Sequence, residues 1–193
     1  YIYKRGDYMG LRSDIRTIKR KDPAATSTLS ILLTSNGMHA VWIYRFSHLL
    51  WKMRLKLLAR ITSTIARFFT GVEIHPAAII GKNFVIDHGT GTVIGETTVI
   101  GNNVLIYHQV TLGGTGNESG KKRHPSLCDG VMIAAGAKIL GDIRIGTNAR
   151  VGANAVVLKN VPSNATAVGM PARFILNENM KEEDCSLMSK ELK

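Results

Sequence analysis

Val93-Ile94-Gly95-Glu96-Thr97-Thr98-Val99-Ile100-Gly101-Asn102-Asn103-Val104-Leu105-Ile106 sets the rhythm of the chain: an aliphatic residue returns at every sixth position. The register extends upstream through Ile74, Ile80 and Ile86, and downstream to Leu112. It resumes at Leu127, Ile133, Ile139, Ile145, Val151 and Val157. A second inward-type residue follows four positions later, as at Ala78, Val104, Val110, Ala137, Ala149 and Ala155. A helix repeats every 3.6 residues and a strand every 2, so neither makes this pattern. A period of six is the mark of a hexapeptide β-helix. Three hexapeptides close one triangular coil. Each coil buries its aliphatic edge only against the next, so the array needs a cap at either end.

Two steps break the rhythm. Ile86 to Ile94 is two residues too long, and Leu112 to Leu127 reads as three residues beyond two hexapeptides. Extra residues leave a solenoid as loops, and loops on rigid scaffolds carry function. The long loop is predicted over Asn117 to Pro125.

Composition bounds the rest. With 193 residues and 45% apolar content the chain can bury a core. Its two cysteines, Cys128 and Cys185, lie far apart without metal-ligand spacing, and no signal peptide is read at the start. Two reduced thiols in a cytoplasmic protein are the simplest reading. The net charge of +11 is uneven: residues 1–72 hold 13 of the 25 basic side chains and 3 of the 14 acidic ones. Such a front fits a solvated helical face or pairing between subunits, with an anionic partner as the competing explanation. It holds no recognised nucleic-acid motif. The apolar run Met38–Trp51 is shorter than the roughly 20 residues of a membrane span. Neither nucleic acid nor a membrane is therefore expected as a partner.

The front reads as helices: a short one near Leu11–Lys19, one starting at Asp22-Pro23, one over Met38–Trp51, and one through Leu57, Ile61, Ile65 and Phe69 that Gly71 ends. The expected plan is an α-helical domain at 1–71, a β-helix at 72–176 and a polar tail at 177–193. The fold class is mainly β, a parallel β-helix of hexapeptide repeats behind an N-terminal α-helical domain.

Candidate chemistry gathers at the breaks. Asp87-His88-Gly89-Thr90-Gly91 sits at the first, and histidine suits general-base work near neutral pH. Glu73 lies fifteen residues earlier, a little under one coil, a spacing that would set it beside His88. Arg123-His124-Pro125 ends the second loop. A guanidinium there and a carboxylate at Asp87 would suit the two charges of a small zwitterion. Ala135 and Ala153, eighteen apart, should stack on one face. With Gly114 they leave backbone amides open to a long, flexible ligand, and Lys159 and Arg173 would meet its phosphates. Zinc held between histidines is the chemical competitor, although His75, His88, His108 and His124 form no close pair in sequence.

Several stretches are recognisable together: Lys21-Asp22-Pro23-Ala24-Ala25, Val72-Glu73-Ile74-His75-Pro76, Asp87-His88-Gly89-Thr90-Gly91 and Val93-Ile94-Gly95-Glu96-Thr97. Val110-Thr111-Leu112-Gly113-Gly114-Thr115, Lys122-Arg123-His124-Pro125, Gly136-Ala137-Lys138-Ile139-Leu140-Gly141 and Gly169-Met170-Pro171-Ala172-Arg173 join them. Over about residues 10 to 175 the chain resembles serine O-acetyltransferase, the first committed enzyme of cysteine biosynthesis. The resemblance implies a left-handed β-helix and acetyl transfer from acetyl-CoA, a co-substrate rather than a resident cofactor, to L-serine. It implies His88 as catalytic base and Glu73 as its orienting acid, with Asp22, Asp87, Arg123 and His124 holding the serine. It implies a homotrimer with active sites between subunits, in many members paired into a hexamer through a longer N-terminal helical region. It further implies inhibition by L-cysteine and a cysteine synthase contact through the C-terminal tail. Two other classes compete: a hexapeptide acyltransferase for a sugar or another amino alcohol, and a non-catalytic scaffold.

Overall fold

A computed structural model describes residues 11–21, 27–116 and 122–175. Among the described residues four helices lead, α1 (Leu11–Lys21), α2 (Thr28–Thr34), α3 (Asn36–Lys52) and α4 (Lys56–Thr70), and fifteen short strands follow. Most of these strands are two residues long, because a hexapeptide spends its other residues on the corner.

The strands stack into three parallel sheets, the faces of a triangular prism. The first face runs through Glu73–Ile74, Val93–Ile94, Thr111–Gly113, Lys138–Leu140 and Val156–Val157. The second holds Ile79–Ile80, Val99–Ile100, Ser126–Leu127 and Arg144–Ile145. The third holds Val85–Ile86, Leu105–Ile106, Met132–Ile133, Arg150–Val151 and Thr166–Val168, closed by the antiparallel strand Arg173–Ile175. The periodic aliphatics point inward and stack: Ile94, Ile100, Ile106, Leu112, Leu127, Ile133, Ile139 and Ile145 are fully buried. Each such side chain contributes about 1.5–3 kcal/mol of burial free energy.

The strand register measures the two breaks. Ile74 pairs with Ile94, so the first coil has twenty residues. Ile94 pairs with Leu112, and the second has eighteen. Leu112 pairs with Ile139, and the third has twenty-seven. The step from Leu112 to Leu127 is therefore one hexapeptide with nine extra residues, not two with three. Leu127 lies on the second face, directly after the corner from which the loop leaves. Periodicity alone cannot tell these readings apart, because both return to an aliphatic position.

The helices cap the open first coil. Ala40, Val41 and Tyr44 of α3 join Val72, Ile74, Ala78 and Ile86 in one apolar core, and the Tyr44 hydroxyl donates to the Ala78 carbonyl at 2.5 Å. A Cβ on Gly37 would stand 2.0 Å from the Ile86 carbonyl oxygen, so only glycine lets α3 lie this close to the third face. The buried Asp14 of α1 accepts from both guanidinium nitrogens of Arg45 (2.5 and 3.0 Å) and from the Trp42 indole (2.9 Å). Ser27, not Asp22, caps α2 by accepting from the Ser30 amide; Asp22 itself lies outside the described residues. Gly71 closes α4 in the left-handed conformation (φ 71°), as expected. The outer side of α4 leaves Leu57, Phe68 and Phe69 exposed. Cys128 is fully buried, and Cys185 lies outside the described residues, as does any pairing between the two. No described helix is long and apolar enough to cross a membrane.

Candidate active site

The first break forms the corner between the third and first faces. His88 takes φ 59° there, flanked by Gly89 (φ 88°) and Gly91 (φ 76°). A non-glycine residue in this region is uncommon in general, but the coil corners repeat it, as at Asn103, Gln109, Asn148 and Asn154. The turn holds it: the Gly89 amide donates to the Asp87 carbonyl (2.7 Å) and the Gly91 amide to the Gly71 carbonyl (2.8 Å). The imidazole stands out of the corner, about three-quarters exposed, with Nε2 3.9 Å from Asp87 Oδ1. Its ring meets His108 edge-on at 5.7 Å, one coil further on, and His108 Nδ1 is buried without a hydrogen-bond partner. A cavity of about 340 Å³ opens beside this corner, lined by Asp87 and His88 on one side and by Ile18, Ile31, Ser35 and Asn36 of the helical cap on the other.

The second break forms the opposite edge of the same first face. Arg123 donates to Glu96 at 2.9 Å, and Thr97 accepts the amides of Arg123 (3.0 Å) and His124 (3.1 Å). The Thr97 amide and hydroxyl both face Nδ1 of His124, at 3.1 and 2.9 Å. That nitrogen must accept, so the neutral ring carries its proton on Nε2. The imidazole packs against Gly95, where a Cβ would stand 2.0 Å from the ring. Burial, and next the Arg123 guanidinium, push the His124 pKa below its ordinary value. The ring is thereby held as a neutral Nε2–H donor.

Glu73 sits on the first face with its side chain outward, paired with Arg67 of α4 at 2.9 Å. It lines a polar cleft of about 250 Å³ with Arg60, Arg67 and His75. His75 accepts the Ala77 amide on Nδ1, and burial lowers its pKa too. Within one chain Glu73 does not reach His88. The first coil is twenty residues long and Glu73 pairs with Val93, which leaves His88 in the preceding corner.

The residues expected to meet a long ligand divide in the same way. Ala135 and Ala153 stack in the His88 corner, joined by the Asn154 amide donating to the Ala135 carbonyl at 2.9 Å. Gly114 lies at the foot of the long loop, against the Arg123 backbone, on the other edge. Lys159 is exposed on that edge at the far end, and Arg173 is exposed on the closing strand of the third face. One chain thus presents its candidate site residues in two groups along two parallel edges. Among the described residues no group of three or more His, Cys, Asp or Glu could hold a metal.

Glu96 and Thr97 were not singled out by sequence reasoning. The signal existed: with a twenty-seven-residue coil, Glu96 stacks under Arg123 and Thr97 under His124, but that coil length emerges only from the strand register.

Comparison with known proteins agrees with this architecture. The family model for the bacterial transferase hexapeptide (six repeats) matches residues 124–159. A serine acetyltransferase of Bacillus pumilus is 53% identical over 171 residues, 89% of this chain and 78% of that protein. The crystal structure of Neisseria gonorrhoeae serine acetyltransferase in complex with serine is 45% identical, with a TM-score of 0.81, over 84% of this chain and 66% of that one. Serine acetyltransferase in complex with CoA matches with a TM-score of 0.80 at 47% identity, and in complex with cysteine with 0.83 at 49%, each over 86% of this chain and 68% of that one. The coil is therefore the left-handed β-helix of these proteins, and the chain belongs to the serine acetyltransferase family of acyltransferases.

Proposed function

We propose that the chain transfers the acetyl group of acetyl-CoA to the hydroxyl of L-serine, giving O-acetylserine and CoA, the first step of cysteine biosynthesis from serine. One observation carries this reading: two charge-complementary half-sites, Asp87 with His88 and Arg123 with His124, flank the same face of the prism. A single amino acid can touch both only if two copies meet edge to edge. The trimer expected from the family has that symmetry, and a neighbouring copy is also what would bring a Glu73 to His88.

In the assembled site Arg123 takes the serine carboxylate, while Asp87 and Asp22 take the ammonium. Asp22 is in the segment between α1 and α2, and both helices line the His88 cavity. His88 removes the hydroxyl proton as the oxygen attacks the thioester carbonyl. It then returns that proton to the departing CoA thiolate. Glu73 fixes the tautomer and stabilises the imidazolium. His108, edge-on to His88, limits how the ring turns. His124 donates from Nε2 to the bound amino acid. Ala135 and Ala153 form a side-chain-poor wall for the pantetheine arm, and Gly114, Lys159 and Arg173 complete the coenzyme site across the copies.

Relatives crystallised with serine, CoA and cysteine support these ligands. The reading extends to inhibition by L-cysteine in the serine site, a cytoplasmic homotrimer, and a cysteine synthase contact through the tail beyond residue 176, which lies outside the described residues. The test is thiol release from acetyl-CoA with and without L-serine, against a panel of sugar and amino-alcohol acceptors. His88→Ala should bind both substrates yet lose about 10²–10⁴-fold in turnover. Near-normal turnover by that variant, or preference for another acceptor, overturns the reading.

A further inference from the structure

Lys122 stands beside the charged corner, and no step of the mechanism uses it. Its ammonium donates to the His124 carbonyl and to the Thr97 carbonyl at 3.3 Å, and pairs with Asp142 at 3.2 Å. Three donors thus meet three oxygens drawn from three successive coils: Thr97 from the second, His124 from the third and Asp142 from the fourth. The Lys122 side chain is only 21% exposed, whereas Asp142 is 49% exposed. An ion pair that open to water adds little to folding stability. The geometry has a different consequence. By gripping the carbonyl two residues ahead, Lys122 closes a ring around Arg123 and fixes the backbone that carries Arg123 and His124. Glu96 and Thr97 restrain these residues from the coil below; Lys122 restrains them from within their own coil and is held in turn by Asp142 of the coil above.

We propose that Lys122 is a positioning residue, anchored by Asp142, that pre-organises Arg123 and His124 for the carboxylate end of the acceptor. The proposal rests on the serine-acetylating reading and assigns the loop anchor of that same site. Its effect belongs to acceptor binding, because neither Lys122 nor Asp142 is placed near the reacting hydroxyl or the thioester.

Steady-state kinetics of the full chain tests it, with Lys122→Ala, Lys122→Arg, Asp142→Asn and the Lys122→Ala/Asp142→Asn pair. Lys122→Ala should raise KM for L-serine about tenfold, with kcat within about twofold and KM for acetyl-CoA unchanged. Lys122→Arg should recover most of the loss. Asp142→Asn should shift the same KM about two- to threefold, and the double variant should be no worse than Lys122→Ala alone. Should Lys122→Ala fail to fold, the half-exposed Asp142→Asn carries the test. A wild-type KM for serine in the folded variants, or an equal loss toward both substrates, overturns the positioning role. A wild-type chain inert toward L-serine overturns the parent reading instead, and the proposal with it.

Discussion

Gly95 shows how much one missing side chain decides. Its empty Cβ position is filled by the His124 imidazole, which Thr97 holds by Nδ1. Gly95→Ala would drive a methyl into the ring at 2.0 to 2.2 Å. The fold should lose about 1–3 kcal/mol, the usual cost of overpacking, as read by urea unfolding. KM for serine should rise as well, because the ring cannot keep its orientation. Neither effect is legible from the hexapeptide pattern, in which glycine after the aliphatic residue is merely frequent. The contact with His124 depends on equivalent positions standing twenty-seven apart in this coil. His88 is the converse case: its turn shows in the sequence as a two-residue departure from period six, although its φ of 59° is one that other coil corners share.

Among the elements, α1 and α3 are tied by one buried carboxylate. Asp14 takes two bonds from Arg45 and one from Trp42. Asp14→Ala would leave the arginine unpaired in a largely enclosed site and should cost about 3 kcal/mol in denaturant unfolding. Because α1 and α2 wall the His88 cavity, that loosening should also weaken serine binding. The pattern of elements was the most legible part of the chain. The period fixed the coil and its faces, and Gly71 marked the end of α4. Asp22-Pro23 is a strong initiation signal and lies outside the described residues, whereas the cap of α2 is Ser27. The partner of Glu73 was out of reach for another reason. Arg67 lies on a helix whose placement against the first face depends on tertiary packing.

For the molecule as a whole, the proposed reading, with Asp87 and His88 on one edge and Arg123 and His124 on the other, makes activity a property of the assembly. His88→Ala and Arg123→Ala should each be nearly inactive alone. Unfolded together and reassembled from an equal mixture, they should recover about a quarter of wild-type sites, those drawing His88 from one variant and Arg123 from the other. Recovery of none, with mixed trimers shown by mass, would place both groups in one subunit's site. Three histidines also link stability to pH. His48, His75 and His124 are all pushed below their ordinary pKa, first by burial. The unfolded chain therefore binds more protons than the folded one. Their contribution is present above about pH 6.5 and is lost as pH falls toward the lowered folded values. Thermal melting should accordingly drop between about pH 7.5 and about pH 5.5, beyond what a variant with His48 and His75 replaced by Gln shows.

The five-stranded first face has one more consequence. Neighbouring strands lie about 4.8 Å apart, so its two ends are separated by about 19 Å. In the proposed reading His88, the base, stands near one end and the exposed Lys159 near the other. On that reading the number of coils would be a ruler, graduated in single turns, against which the length of a coenzyme arm is measured. Lengthening or shortening it by one coil would change which acyl carrier fits while leaving the amino-acid end untouched.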